Sequence, residues 1–153
     1  MNIETRQTMK ELYEEDYVLW IDETVKQLET KNIDNLDWEN LLEEIKSLGN
    51  EQRHKVDSYL LQLLIHLLLY QYWDSEKEWC QKGWRDEIDN FRLQLELLLE
   101  SKTLENYSKQ RLDIIYQKAR RKVIRKTELP SQVFPEKCPF TFQEITDFEF
   151  LPE

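Results

Sequence analysis

The stretch YLLQLLIHLLLYQYW, from Tyr59 to Trp73, decides the fold of this chain. Its apolar side chains cover almost every face of a helix, and they surround a single histidine, His66. A helix that is apolar all round must be enclosed by other helices, so this segment predicts the centre of an all-α core. At 100° per residue, His66 shares its face with Gln62 and Tyr70, which places it at an aromatic and polar edge.

Helical patterns on both sides of this segment supply the helices that enclose it. A stripe of apolar residues predicts a first helix from about Asp16 to Lys31. Asp37 is the expected N-cap of a second helix, which Gly49 ends or kinks. The apolar face of that second helix consists of Trp38, Leu41, Leu42, Ile45 and Leu48.

The central helix is expected from Glu51 to Trp73, and Asp74 to Gly83 is expected to be a polar connector. Apolar residues then recur in alternating fours and threes up to Leu98, which predicts a helix that packs at a shallow angle. A further helix is expected from about Thr103 to Lys126.

All four prolines lie in the last 24 residues, so the end of the chain is predicted to be extended. Its phenylalanines make this segment too apolar for a free tail, and Thr141 with Glu144 forms a capping-box pattern for a short helix. The prediction is one all-α domain over 1–153, a bundle of four main helices plus short extras. Residues 1–12 are expected to be flexible, and residues 130–153 are expected to pack across the bundle.

Composition excludes several classes of function. The chain has 153 residues and only two glycines. Its formal net charge of −10 disfavours binding to nucleic acids and to anionic membranes. The polar N-terminus lacks a signal peptide, and no apolar run reaches the roughly 20 residues that span a bilayer. Cys80 and Cys138 belong to no CxxC pattern, which favours free thiols and a cytoplasmic location.

Three stretches resemble the domain of unknown function 29 family over nearly the whole chain. These stretches are YEEDYVLW at Tyr13 to Trp20, LDWENLLEEIKSLG at Leu36 to Gly49 with LLIHLLLYQYW after it, and FPEKCPF with FEFLPE between Phe134 and Glu153. The resemblance implies a helical domain of the bacterial cytosol without an assigned activity, ligand or partner.

The family pattern centres on a Trp, a Glu-Glu pair, a histidine on a helix and a later Trp-Arg. The corresponding residues here are Trp38, Glu43, Glu44, His66, Trp84 and Arg85, with Arg92 as one further candidate. The family commonly has a serine before the later Trp, whereas this chain has Lys82 and Gly83. A role for a hydroxyl group is therefore in doubt in this chain.

Glu44 and His66 are the first candidates for a functional pair. Glu44 lies on the flank of the predicted apolar face, whereas Glu43 points the opposite way. A carboxylate that orients an imidazole serves general-base catalysis, but the same arrangement also satisfies a buried histidine. Both interpretations stay open, and the structural one is favoured.

Arg85 and Arg92 are seven residues apart on one helix face and form the second candidate site. Together they could bind a phosphate or carboxylate, or pair with acidic residues of neighbouring helices such as Glu43 and Glu44. The ion-pair interpretation is favoured because the chain is so acidic.

No metal or cofactor is predicted. Glu51 and His54 form an ExxH pattern, but a di-iron site needs a second such pattern, and the chain has only two histidines. Two glycines also leave no room for a glycine-rich phosphate loop.

The segment KARRKVIRK, Lys118 to Lys126, carries six basic residues. It is the one candidate surface for nucleic acid, although it lacks interleaved aromatic residues, and a solvated, partly ion-paired helix face is favoured.

Without a complete catalytic set, we expect a non-enzymatic interaction or regulatory module with an unknown protein partner or self-association. The alternatives are a small hydrolase or ligand-binding protein with a Glu/His/Arg pocket, and a nucleic-acid-binding protein.

Overall fold

A computed structural model of the chain describes residues 7–153. The described residues form six α-helices and two short 3₁₀ turns, and they contain no β-strand. The helices are α1 (Met9–Glu15), α2 (Tyr17–Glu29), α3 (Trp38–Tyr72), α4 (Asp74–Leu98), α5 (Lys102–Thr127) and α6 (Phe142–Thr146). The predicted all-α fold with four main helices and short extras is confirmed.

The chain divides into two compact units between Asn50 and Glu51, a point that lies within helix α3. The predicted single domain over 1–153 stays a prediction. Residues 1–6, half of the segment expected to be flexible, lie outside the described residues, and from Met9 onward the segment belongs to helix α1.

The first unit contains α1, α2 and the start of α3. The side chain of Thr8 caps α1, and Asp16 ends α1 and caps α2 by accepting a hydrogen bond from the Leu19 backbone. The predicted helix from Asp16 is therefore confirmed, whereas the sequence did not predict α1. Asp37 accepts a bond from the backbone of Asn40, as expected of an N-cap.

Helix α3 is continuous from Trp38 to Tyr72, so Gly49 does not end a helix, and the alternative that it kinks the helix stays a prediction. Glycine costs only about 1 kcal/mol in a helix interior, and the good helix formers on both sides of Gly49 outweigh this cost. The predicted polar connector Asp74–Gly83 is wrong, because these residues form the first turns of α4. Asp74 and Glu76 lie in the first turn, where negative charge favours a helix.

The second unit has its core around the predicted central run. Leu60, Leu63, Leu64, Leu67 and Leu68 have no exposed surface, and they pack with buried side chains of α4 and α5. An ion pair supports this core: Arg111 on α5 contacts both oxygens of Asp57 on α3 at 3.2 Å, and Tyr107 donates to the same carboxylate. Sequence patterns did not identify this group.

The C-terminal segment packs on the second unit, as predicted. Phe134, Phe140 and Ile145 are buried, and Tyr116 on α5 donates a hydrogen bond of 2.5 Å to the Pro135 carbonyl. The predicted capping box of Thr141 with Glu144 begins α6.

Candidate functional site

The carboxylate of Glu44 binds two tyrosines within the first unit. Tyr17 on α2 donates to Oε2 at 2.5 Å, and Tyr13 on α1 donates to Oε1. These hydrogen bonds lower the pKa of Glu44, that from Tyr13 contributing most, and raise the pKa of Tyr13 to about 12. Both oxygens of Glu44 therefore hold helices α1 and α2, and the lowered pKa makes the carboxylate a weaker base.

An aromatic cluster extends this arrangement. The indole of Trp20, 2% exposed, packs edge-on to Tyr13 with ring centroids 5.0 Å apart and stacks on Tyr17 at 6.1 Å. Its Nε1 donates to the buried carboxylate of Asp37 at 3.4 Å. This network joins α1 and α2 to the start of α3, and its bonds are those expected of a structural core.

His66 bonds to its own helix. Its Nδ1 lies 2.7 Å from the carbonyl oxygen of Gln62, and because a carbonyl only accepts, Nδ1 is the donor of this hydrogen bond. The ring lies 5.5 Å from that of Phe91, between their centroids. His66 is half-buried, like its neighbours on this face, which confirms the predicted edge position. The predicted carboxylate partner, Glu44, is bonded to the tyrosines.

The two candidate arginines have different surroundings. Arg85 is exposed, whereas Arg92 is 1% exposed and fixes α6: its Nε donates to the Ile145 carbonyl at 2.8 Å, and its Nη2 donates to the Glu144 carbonyl at 3.2 Å. Burial lowers the pKa of the Arg92 guanidinium. The sequence favoured an ion pair of Arg92 with Glu43 or Glu44. Arg92 instead bonds to the backbone carbonyls of Ile145 and Glu144.

The Nη1 of Arg92 has no hydrogen-bond partner among the described residues. Arg92 also lines a cavity of about 350 Å³, together with Glu96, Phe142 and Thr146. A buried donor without a partner costs about 1–3 kcal/mol, so this nitrogen is available to a ligand that accepts a hydrogen bond.

A groove of about 950 Å³ lies in the first unit. Amide and hydroxyl side chains such as those of Thr8, Gln27, Asn32 and Asn35 line it. Its lining contains no His, Cys or Ser, but it includes the charged side chains of Lys10, Glu23 and Asp37.

The other predicted elements have simple surroundings. His54 is exposed, and the described part of the chain has no cluster of three or more His, Cys, Asp or Glu side chains that could hold a metal.

In the basic segment, Arg120 donates hydrogen bonds to the carbonyls of Phe134 and Ser131, so it has a structural role. Both cysteines are free thiols, and burial raises the pKa of Cys138 to about 11. No described helix is long and apolar enough to cross a membrane.

A surface that sequence analysis assigned to the core is exposed. Trp38, Leu42, Ile45 and Leu48, which we call the α3 stripe, are 60%, 52%, 58% and 64% exposed. Among the described residues, ten of the fifteen exposed large apolar side chains lie before Glu51, and Val18, Val25 and Leu28 of α2 are among them. The apolar pattern was visible in the sequence, but its exposure was not.

The fold and these surfaces define an all-α protein whose first unit exposes apolar helix faces. A family model matches residues 12–151, and the chain belongs to this family, described as "Domain of unknown function DUF29". Comparison with curated proteins and with solved structures gives no significant match.

Proposed function

We propose that the chain is a non-enzymatic protein-interaction module of the bacterial cytoplasm, and that the α3 stripe is its binding surface. The observation that carries this proposal is the exposure of four large apolar side chains on one helix face. Isolated exposed leucines are common on protein surfaces, but contiguous apolar faces mark interaction sites. The free cysteines support the cytoplasmic location.

The spacing of the stripe suits a helical interface. Trp38, Leu42 and Ile45 follow the i, i+4, i+7 pattern of helices that pack into apolar grooves. Completing the burial of one such side chain contributes on the order of 1 kcal/mol, so several together can support a specific complex. The enzymatic alternative has less support, because Glu44 and Arg92 already make structural hydrogen bonds.

Site-specific photo-crosslinking in growing cells tests the proposal. A photoreactive amino acid at Ile45 is expected to give a discrete crosslinked protein band, and the same substitution at Leu97 is the control. Leu97 is 58% exposed, as Ile45 is, but it lies on α4. The proposal fails if Ile45 gives no crosslink, or if both positions give the same products.

A second candidate function, ligand binding, is favoured by the unpartnered Nη1 of Arg92 beside its cavity. The ligand would present a carbonyl or carboxylate oxygen to that nitrogen. Titration with acetate and acetamide, followed by the amide resonances of Phe142 and Thr146, tests it. Shifts in the wild type that are absent in Arg92→Met support ligand binding, and unchanged resonances exclude it. The hydrolase form of this candidate also needs Glu44 as a base, and the tyrosines hold that carboxylate.

A further inference from the structure

We infer that the partner of the α3 stripe is a basic amphipathic helix of another protein, which lays its apolar face on the stripe. This inference rests on the proposed function and adds the chemistry of the partner. It combines the exposed apolar face with the distribution of charge along the chain.

The negative charge of the chain is concentrated in the unit that carries the stripe. Residues 1–50 contain thirteen acidic and five basic residues, a net charge of −8, whereas residues 51–153 contain eighteen and sixteen, a net charge of −2. A partner that approaches the first unit therefore meets most of the charge of the whole chain. Opposite charge on the partner speeds association and suppresses binding of wrong partners.

An acidic side chain borders the stripe on one flank. Glu39 lies about 60° around α3 from Leu42 and is exposed, whereas Glu43 points away from the stripe. Glu39 forms an ion pair with Lys10 at 3.1 Å.

Helix α2 repeats this pattern. Asp22 and Glu29 are exposed on the flank of the apolar residues Val18 and Val25. Neither carboxylate has an ion pair within the part of the chain that the structure describes. Lysine or arginine side chains of a partner can therefore pair with them without displacing an existing bridge.

The negative charge of the first unit disfavours three other binding partners of the stripe: anionic lipid, nucleic acid and a second copy of the chain. Anionic lipid surfaces and nucleic acids are repelled by a unit with a net charge of −8. A second copy of the chain would bring an equally acidic unit against the stripe. A basic helix removes this repulsion and covers the apolar side chains at once.

Two synthetic helical peptides of about 18 residues, five helical turns, test the inference. Both carry the same leucine face, and their polar faces consist of lysine in one and glutamate in the other. Binding is measured by fluorescence anisotropy of the labelled peptides. The lysine peptide is expected to bind, and the glutamate peptide is expected to bind about tenfold more weakly or less.

Three variants locate the binding surface: one changes the stripe, one is its control on α4, and one removes negative charge. The double variant Leu42→Asn/Ile45→Asn is expected to weaken binding of the lysine peptide about tenfold. Leu93→Asn/Leu97→Asn, which changes two exposed leucines of α4, is expected to leave it unchanged. Asp22→Asn/Glu29→Gln is expected to weaken binding several-fold and to reduce its salt dependence. Circular dichroism checks that each variant is folded.

Each contrary outcome has a distinct meaning. Equal binding of the two peptides, or no binding of the lysine peptide despite a crosslink at Ile45, overturns the basic helix but leaves the interaction module standing. Binding that is insensitive to Leu42→Asn/Ile45→Asn overturns the stripe as its site. A wild-type dimer that this double variant converts to monomer makes a second copy the occupant and overturns the inference. Absence of both peptide binding and crosslink overturns both proposals.

Discussion

Tyr17 and Glu44 are joined by a hydrogen bond of 2.5 Å from the phenol to the carboxylate. Tyr13 occupies the other carboxylate oxygen, so one side chain of α3 fixes both α1 and α2. Glu44 was a candidate catalytic residue from the sequence, and its two hydrogen bonds stabilise the packing of the first unit. The adjacent Glu43 is exposed.

The substitution Glu44→Gln is expected to lower the unfolding temperature, because the amide of Gln has a donor group in place of one acceptor oxygen. Tyr13→Phe/Tyr17→Phe is expected to lower it as well. The triple variant should lose less than the sum of the two effects, since all three side chains form one network. Thermal unfolding followed by circular dichroism measures this, with Glu43→Gln as the neutral control. Fully additive losses would show that the tyrosines do not act through Glu44.

The contribution of this network depends on pH in a defined way. The pKa of Glu44 is lowered from 4.5 in the folded state, so its stabilisation is present above pH 4.5 and is lost as the pH falls through the folded value. The pKa of Tyr13 is raised from 10.0 to about 12, so its contribution is present below pH 10 and is lost as the pH rises towards 12. Chemical denaturation of wild type and Glu44→Gln at several pH values checks this. The difference in stability should be constant near neutrality and shrink at both extremes. A difference that grows below pH 4 would contradict the assignment.

The helices with strong periodicity could be predicted from sequence, and so could caps that local chemistry dictates. Asp16 begins α2 and Thr141 with Glu144 begins α6 as predicted, because a cap depends on residues within one turn. The segment Asp74–Gly83 was misinterpreted because polar residues suit both a loop and the solvated face of a helix. An acidic first turn was the available signal.

The candidate site was harder to predict than the fold. Periodicity shows that Trp38, Leu42 and Ile45 share a face, but the same pattern describes a covered face and an open one. Glu44 was correctly placed beside that face, yet its tyrosine partners lie some 30 residues away in sequence, on helices whose packing no local pattern specifies. The carbonyls that hold Arg92 are likewise more than 50 residues away.

Truncation of two leucines on helix α3 distinguishes an exposed stripe from a core. Leu42→Ala is expected to change the free energy of unfolding by less than about 1 kcal/mol, because Leu42 is 52% exposed. Leu63→Ala is expected to cost about 2–5 kcal/mol, because Leu63 is completely buried. Urea denaturation of the purified chain measures both values. Similar losses would show that the stripe is covered in the isolated protein and would remove the basis of the proposed surface.

Arg92→Lys is expected to destabilise the docking of the C-terminal segment although the charge is kept. A lysine ammonium lacks the planar fork with which the guanidinium reaches the carbonyls of Glu144 and Ile145 together, and a lost bond to a charged group costs about 1.5–3 kcal/mol. Hydrogen exchange should therefore accelerate in α6 and its flanking residues more than in the core of α5. Arg85→Lys is the matched control, since Arg85 is exposed on the same helix. Unchanged exchange in Arg92→Lys would mean that the apolar anchors Phe140 and Ile145 hold the segment without the arginine. Arg92 would then be a buried cation with no structural task, which would favour its role as a ligand-binding group.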